Sequence, residues 1–299
     1  MSRQIKNVVI AGRYQLIHDL RPPETWARHI LTTLVSYGSF NITVLARNTG
    51  YTFPVGVTAK VVDFSFPSAL NLALEGQDAV VDAVLSPDHT VSIGLIDAAV
   101  TAGVYRYIAS EFSAQIYDHL QKVANDQKIT WTAISNGAFL DWCLRTGFLN
   151  VDLTNQKIVL MNDGTRVFPL SILPAVGTAV ANAMAQAEKT RNMHCFIYNA
   201  RKSQVEIANL AKEALGVDGW EIKSQDMDKA FEEALSATAS GNYSWTVVGD
   251  LVRYSLATPG YGELVEQNHN DLLGVRPMSD KQVKALIREI SVELKSNPQ

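Results

Sequence analysis

NVVIAGRYQLIHDLRPPETWARHILTTLV, residues 7–35, sets a strand against a helix with an unusual connection between them. Val8-Val9-Ile10-Ala11 is a nearly all-apolar run, as expected of a parallel strand covered on both faces. Trp26, Ile30, Leu31 and Leu34 recur at helical spacing, with Gly38 placed as a C-cap. Pro22 and Pro23 stand where a helix starts, because its first turn does not need their missing N–H groups. The connection itself reads RYQLIHDLRPPE, and after Gly12 no glycine follows until Gly38.

Strand and helix then alternate. Ile42–Leu45, AKVVDFS, DAVVDAVL, VYRYIASEF and ITWTAISNGAF have strand character; PSALNLALEG, TVSIGLIDAAVTAG and DHLQKVANDQ, lying between them, are helical. Such alternation predicts right-handed crossovers and an α/β fold built on a Rossmann-like, doubly wound parallel sheet. After about residue 148 the rhythm changes. KIVLMNDGTRVFPLS predicts a hairpin turning at Asn162-Asp163-Gly164. PAVGTAVANAMAQ is a helix, MHCFIYN a strand, and SQVEIANLAKEAL a helix with Ser203 as N-cap. No Gly/Ser/Pro-rich linker separates the halves. Residues 1–150 are expected to form the sheet domain, with 165–200 adding to the sheet. Residues 151–299 are expected to form a smaller, mostly helical, tightly packed C-terminal substrate subdomain. A cleft is expected at the strands' carboxyl ends, where ligands bind in such sheets.

The 299 residues are 47% hydrophobic, enough for a large core. Net charge is −4, from 26 basic and 30 acidic residues, with no long basic run, which argues against nucleic acid as a partner. Cys143 and Cys195 lie far apart without a CxxC or Cys/His cluster, so no metal site is expected and two buried thiols in a reducing compartment are. No stretch approaches the roughly 18 apolar residues of a membrane span. The expectation is a cytoplasmic protein with no membrane partner.

At VYRYIASEF and ITWTAISNGAFLDWCLRTGFL the chain resembles the NmrA-like and isoflavone-reductase-like proteins, an atypical branch of the short-chain dehydrogenases, most of all their fungal members. Ser-Glu-Phe at 110–112 and Asn-Gly-x-Phe at 136–139 carry the resemblance. It implies a Rossmann domain of the NAD(P)-binding type and NADP(H) in most catalytic members. It also implies small aromatic, polyketide- or alkaloid-like substrates and a monomer or homodimer. Some members only sense the cofactor and regulate transcription.

Two departures stand against it. Family members carry a GxxGxxG-type loop whose glycines make the turn, let backbone approach the pyrophosphate and let the helix pack closely. Here only Gly12 keeps its place; Tyr14, Leu16, Ile17 and His18 crowd the approach, and Pro22 and Pro23 remove two donors from the helix end that would face the anion. Losing two charge-assisted bonds costs about 3–6 kcal/mol, turning a micromolar site into a millimolar one. Catalytic members also carry a lysine shortly after Ser-Glu-Phe. None stands in SAQIYDH, and Lys122 falls late. Arg47, ending the second strand, is where members hold the adenosine 2′-phosphate, and with Gly12 it forms a vestigial cofactor-binding pair.

The candidates for chemistry line the expected cleft. Glu111 ends a central strand, either as a general acid or base desolvated by Tyr107 and Phe112, or as a loop-shaping hydrogen-bond group. Asn136 either polarises a carbonyl or holds a turn. Asp141 is a catalytic candidate or a helix cap. His18, with Tyr14, either fills the vacated phosphate trough and offers an imidazole for proton transfer, or lies in a surface loop. Tyr107, Phe112, Phe139 and Trp142 are candidate substrate contacts. Asp88-His89 reads as a turn and cap, His119 as solvent-facing, and the Tyr198–Lys202 spacing as chance. No nucleophile elbow is present.

Together these point first to a secondary-metabolite enzyme performing a redox-neutral step, such as isomerisation, cyclisation, dehydration or rearrangement, with no cofactor favoured. The alternatives are an NADPH-dependent, isoflavone-reductase-like oxidoreductase with an altered phosphate loop, and a non-catalytic NmrA-like regulatory or binding protein.

Overall fold

The computed structural model describes residues 4–12, 26–84, 88–109, 114–260 and 268–296. The first six strands are β1 (Asn7–Gly12), β2 (Asn41–Ala46), β3 (Thr58–Val61), β4 (Ala79–Ala83), β5 (Arg106–Ala109) and β6 (Thr130–Ser135). Between them run α1 (Trp26–Tyr37), α2 (Pro67–Leu74), α3 (His89–Thr101) and α4 (Ala114–Asn125). The next elements are β7 (Ala138–Phe139), α5 (Leu140–Thr146), β8 (Val151–Asp152), β9 (Lys157–Met161), β10 (Val167–Ser171), α6 (Leu173–Ala185) and β11 (Met193–Phe196). The chain closes with β12 (Ala200–Ser203), α7 (Gln204–Leu215), β13 (Glu221–Gln225), α8 (Met227–Ala239), α9 (Trp245–Ala257), α10 (Asn270–Leu273) and α11 (Asp280–Ser296).

Seven strands form one sheet in the order β11-β6-β5-β4-β1-β2-β3. Every pairing in it is parallel. The order reverses between β1 and β4, the switch point beside which such sheets bind ligands. Alternation along each strand makes two cores. Val8, Ile10, Val44, Val81, Ile108 and Ile134 pack against α1 and α6 on one face. Val9, Ala11, Val80, Tyr107, Ala109 and Ala133 meet α2, α3 and α4 on the other. The Rossmann-like doubly wound sheet read from the sequence is therefore the observed fold. Two glycines set the spacing of α1. A Cβ on Gly12 would lie 3.0 Å from both the Ala27 Cβ and the Ala83 carbonyl, and one on Gly177 would lie 2.4 Å from the Thr33 Oγ1.

The expected hairpin at residues 157–171 does not form. β9 pairs with β13 and β8, whereas β10 pairs with β12 and β7, so the two strands belong to different sheets. Asn162 (φ 57°) and Gly164 (φ 68°) do turn the chain, but side-chain bonds from distant elements fix the path it takes. Gln204 Oε1 accepts the Met161 N–H at 2.7 Å, and Asn162 Oδ1 accepts that of Met227 at 2.9 Å. Of residues 165–200, β11 joins the large sheet and β10 does not. Ser203 caps α7 in a full capping box with Glu206, and Asp88 caps α3 through Thr90. A third core, under α5, α7 and α11, belongs to the C-terminal half. Cys143 and Cys195 are buried free thiols. Among the described residues no helix is long and apolar enough to cross a membrane.

Candidate functional site

The carboxyl edge of the large sheet is the natural ligand-binding edge. A cavity of about 20 Å³ lies beneath it, lined by Trp26 and Ile30 of α1, Val81 of β4, Ala109 of β5, Asn136 and Val176. That is room for one water and none for a ring. A ligand must sit outside it, over the strand ends. Trp26 meets the Phe139 ring edge-on, with centroids 5.9 Å apart, so these two aromatics wall the mouth.

Asn136 sits at this edge, half-buried, with its Nδ2 donating to the Gly137 carbonyl at 2.9 Å. Gly137 follows at φ 65°, and a Cβ there would lie 2.1 Å from the Pro169 carbonyl oxygen. The Asn-Gly pair thus makes a turn against β10 that aims β7 and α5 away from the sheet. Of the two roles read for Asn136, holding a turn is the one that its Nδ2 bond makes.

Asp141 does not face the cleft. It is 5% exposed, and its carboxylate accepts the Leu173 N–H at 3.1 and 3.2 Å and the Trp142 N–H at 3.0 Å. Neither α5 nor α6 has a side-chain cap of its own, so this carboxylate serves both amino ends. Burial pushes its pKa up; the two N–H groups and Arg145 pull it down. The geometry corrects the catalytic reading in favour of the cap.

Tyr107 is fully buried and points to the α2–α4 face, where its hydroxyl donates to Asp82 Oδ2 at 2.7 Å. It cannot touch a substrate, which corrects that expectation. Sequence reasoning alone misses Asp82, a carboxyl at 1% exposure near the carboxyl end of the central strand β4. Burial raises its pKa; the Val84 N–H and the Tyr107 and Ser92 hydroxyls pull it back. A lone acid inside an apolar run, as in VVDAV, is the signal that could have found it.

Phe139 and Trp142 lie three residues apart at the start of α5 and share a side of it. Trp142 packs on Phe148 (5.1 Å) and edge-on to Trp245 (5.7 Å), and the Arg253 guanidinium stands 5.2 Å over Phe148. Trp245, 59% exposed, leaves an open aromatic face. Arg47 is exposed past the end of β2, with its guanidinium 5.5 Å over the Phe64 ring. The nearby Asp63 carboxylate is held by Ser65 through its N–H and hydroxyl. His119 bonds Asp97 at 2.7 Å. Lys202, of the Tyr198–Lys202 spacing, pairs with Asp280. Tyr14, His18, Pro22, Pro23, Glu111 and Phe112 lie outside the described residues.

Residues 25–190 match the family model described as NAD(P)H-binding. The chain belongs to the NAD(P)H-binding family. The match begins beyond β1 and the glycine-free connection. Oxidoreductase aprR of Aspergillus flavus is 28% identical over 255 residues, covering 78% of this chain and 84% of that protein. Among solved structures, isoflavone reductase superposes with a TM-score of 0.71 at 16% identity, covering 96% of this chain and 99% of its own. The leucoanthocyanidin reductase–NADPH complex from Vitis vinifera gives a TM-score of 0.71 at 15% identity, with 96% and 99% covered. The resemblance to NmrA-like and isoflavone-reductase-like proteins holds.

Among the described residues, Arg47 has the chemistry suited to a dinucleotide phosphate. Arg47 offers a guanidinium whose carboxylate neighbour is occupied by Ser65, the donor type suited to a phosphate. Gly12 is bare backbone at the end of β1, pressed against Ala27 and Ala83. Membership corrects the expectation that no cofactor is favoured: a dinucleotide is the family's ligand.

Proposed function

We propose that this chain is an NADPH-dependent oxidoreductase acting on small, largely aromatic molecules. The observation that carries the reading is the NAD(P)H-binding match over residues 25–190, on a sheet whose carboxyl edge presents Arg47 at the end of β2. Its relative from Aspergillus flavus bears the name oxidoreductase, which favours redox chemistry over the redox-neutral step. The glycine-free connection calls for an altered phosphate site, not for the absence of one.

A bound nicotinamide would supply the hydride. The chain's own residues bind and shield. Arg47 attracts the 2′-phosphate, which distinguishes NADPH from NADH. Trp26 and Phe139 exclude water at the mouth. Trp142, Phe148 and the exposed Trp245 offer ring faces on which a planar aromatic stacks.

Incubation with NADPH and a panel of aromatic ketones, enones and quinones, isatin and menadione among them, tests this, with dinucleotide oxidation followed by absorbance and products by mass spectrometry. The reading expects dinucleotide consumption matched by products carrying two added hydrogens. Products isomeric with their substrates, formed with no dinucleotide consumed, would restore the redox-neutral alternative.

A further inference from the structure

Ser135 closes β6 with its hydroxyl 2.9 Å from His194 Nε2 of the edge strand β11. The register pairs Ala133 with His194 and Ser135 with Phe196. Both side chains therefore lie on one face of the sheet, a step apart, at the carboxyl edge. Ser135 shares the α4 face with Ala133, opposite to Ile134, which lines the cavity on the α1 face. The imidazole is enclosed by rings: Phe196 stacks on it at 4.4 Å, and Tyr117 of α4 tilts over it at 6.1 Å. Among the described residues, the titratable groups facing it are Tyr117 from α4 and His269 from the stretch before α10. His269 Nδ1 is engaged by the Phe196 N–H at 3.1 Å.

A packing role alone explains this pair poorly. An edge strand covered by rings is served as well by valine or isoleucine, without desolvating an imidazole. Ser135 and His194 are half-buried, not sealed, and Ser135 ends its strand at the carboxyl edge of the sheet. Burial, reinforced by His269, holds the imidazole pKa below its usual value, so its protonated form is a stronger acid and is populated on the acid side of neutrality.

We propose that the Ser135 hydroxyl, held by His194, delivers the proton that completes reduction of the substrate carbonyl. The inference rests on the oxidoreductase reading above. A bound dihydronicotinamide would supply the hydride that forms the new C–H bond on the carbonyl carbon, and would itself be oxidised by two electrons. The carbonyl π bond breaks, and its oxygen takes the Ser135 hydroxyl proton. The His194 imidazolium replaces that proton from Nε2, and solvent reprotonates the imidazole. Ser135 is the catalytic residue; His194 is a positioning residue that acts through it.

The test combines kinetics on isatin and menadione with NMR of the imidazoles, His194 being assigned by comparison with His194→Gln. Ser135→Ala is expected to lower kcat about 100-fold with NADPH affinity unchanged, and Ser135→Thr to restore most of it. In the wild type, kcat/KM is expected to fall as pH rises through the midpoint at which His194 titrates by NMR in the free protein, and His194→Gln to lose that inflection. A kcat within threefold of wild type in Ser135→Ala, or an inflection surviving in His194→Gln, overturns the proposal alone. A wild type that binds neither dinucleotide, or reduces neither probe, overturns the oxidoreductase reading and this role with it. Covalent capture of Ser135 by a fluorophosphonate also overturns it, showing a nucleophile instead.

Discussion

Asp141 accepts the Leu173 N–H through both of its carboxylate oxygens, at 3.1 and 3.2 Å, and so ties the amino end of α6 to that of α5. The two helices belong to different layers: α6 packs on the large sheet, α5 on the C-terminal core. One buried side chain thus couples the large sheet to the third core.

Replacing it separates structure from chemistry. Asp141→Ala leaves the Leu173 N–H buried without its acceptor and is expected to cost about 1–3 kcal/mol, read as a lowered urea midpoint. NADPH affinity of the folded fraction stays unchanged. Lost turnover at full stability would return Asp141 to the catalytic list.

Asp82 makes stability depend on pH in a definite direction. Burial raises its folded pKa above the unfolded value. The folded state therefore holds the proton more tightly. The resulting stabilisation is complete below the ordinary carboxylate pKa of about 3.9 and is lost as pH rises through the folded value. Asp82→Asn cannot ionise. Its stability relative to wild type should rise between about pH 4 and neutrality, whatever constant offset the altered hydrogen bonds add. Melting temperatures of both proteins across that range measure it. A difference that does not vary with pH contradicts this account of Asp82.

Gly137 has no substitute. Alanine there must hold φ 65° with its Cβ 2.1 Å from the Pro169 carbonyl oxygen. The left-handed conformation alone costs about 1–3 kcal/mol, and the clash adds to it. Gly137→Ala is expected to unfold at markedly lower urea than wild type. Gly103→Ala serves as control, because Gly103 has positive φ but nothing within 4 Å of the added carbon. Equal losses at the two positions would mean that the Pro169 contact contributes nothing.

Arg47 should set dinucleotide preference. Arg47→Ala removes a charge-assisted bond worth about 1.5–3 kcal/mol, so the NADPH Kd rises about 10- to 100-fold while that for NADH hardly moves. Calorimetry with both ligands reads the two values side by side. Equal loss for both would place Arg47 away from the 2′-phosphate.

Much of the fold is legible because parallel strands announce themselves. Val8–Ala11 and Ala79–Ala83 are apolar runs without solvent-facing alternation, and helices with glycine ends separate such runs. The connection at 157–171 reads as a hairpin because Asn-Asp-Gly specifies a turn, yet that turn says nothing of which strand pairs next; Gln204 and Asn162 settle the pairing from a distance. The site is less legible still. Asp141 and Tyr107 have the residue types of a cleft, but their orientation depends on α6 and β4. Ser135 and His194 lie 59 residues apart and meet only through the β6–β11 register. No local pattern marks such a pair.

The central claim is that this chain binds a nicotinamide dinucleotide although its first strand-to-helix connection has lost the glycines after Gly12. Calorimetric titration of the purified full chain with NADPH tests it most directly. The account expects saturable one-to-one binding with Kd of about 10 μM or tighter, roughly −7 kcal/mol, and weaker binding of NADH. Heats that stay at the dilution level up to millimolar NADPH would contradict it.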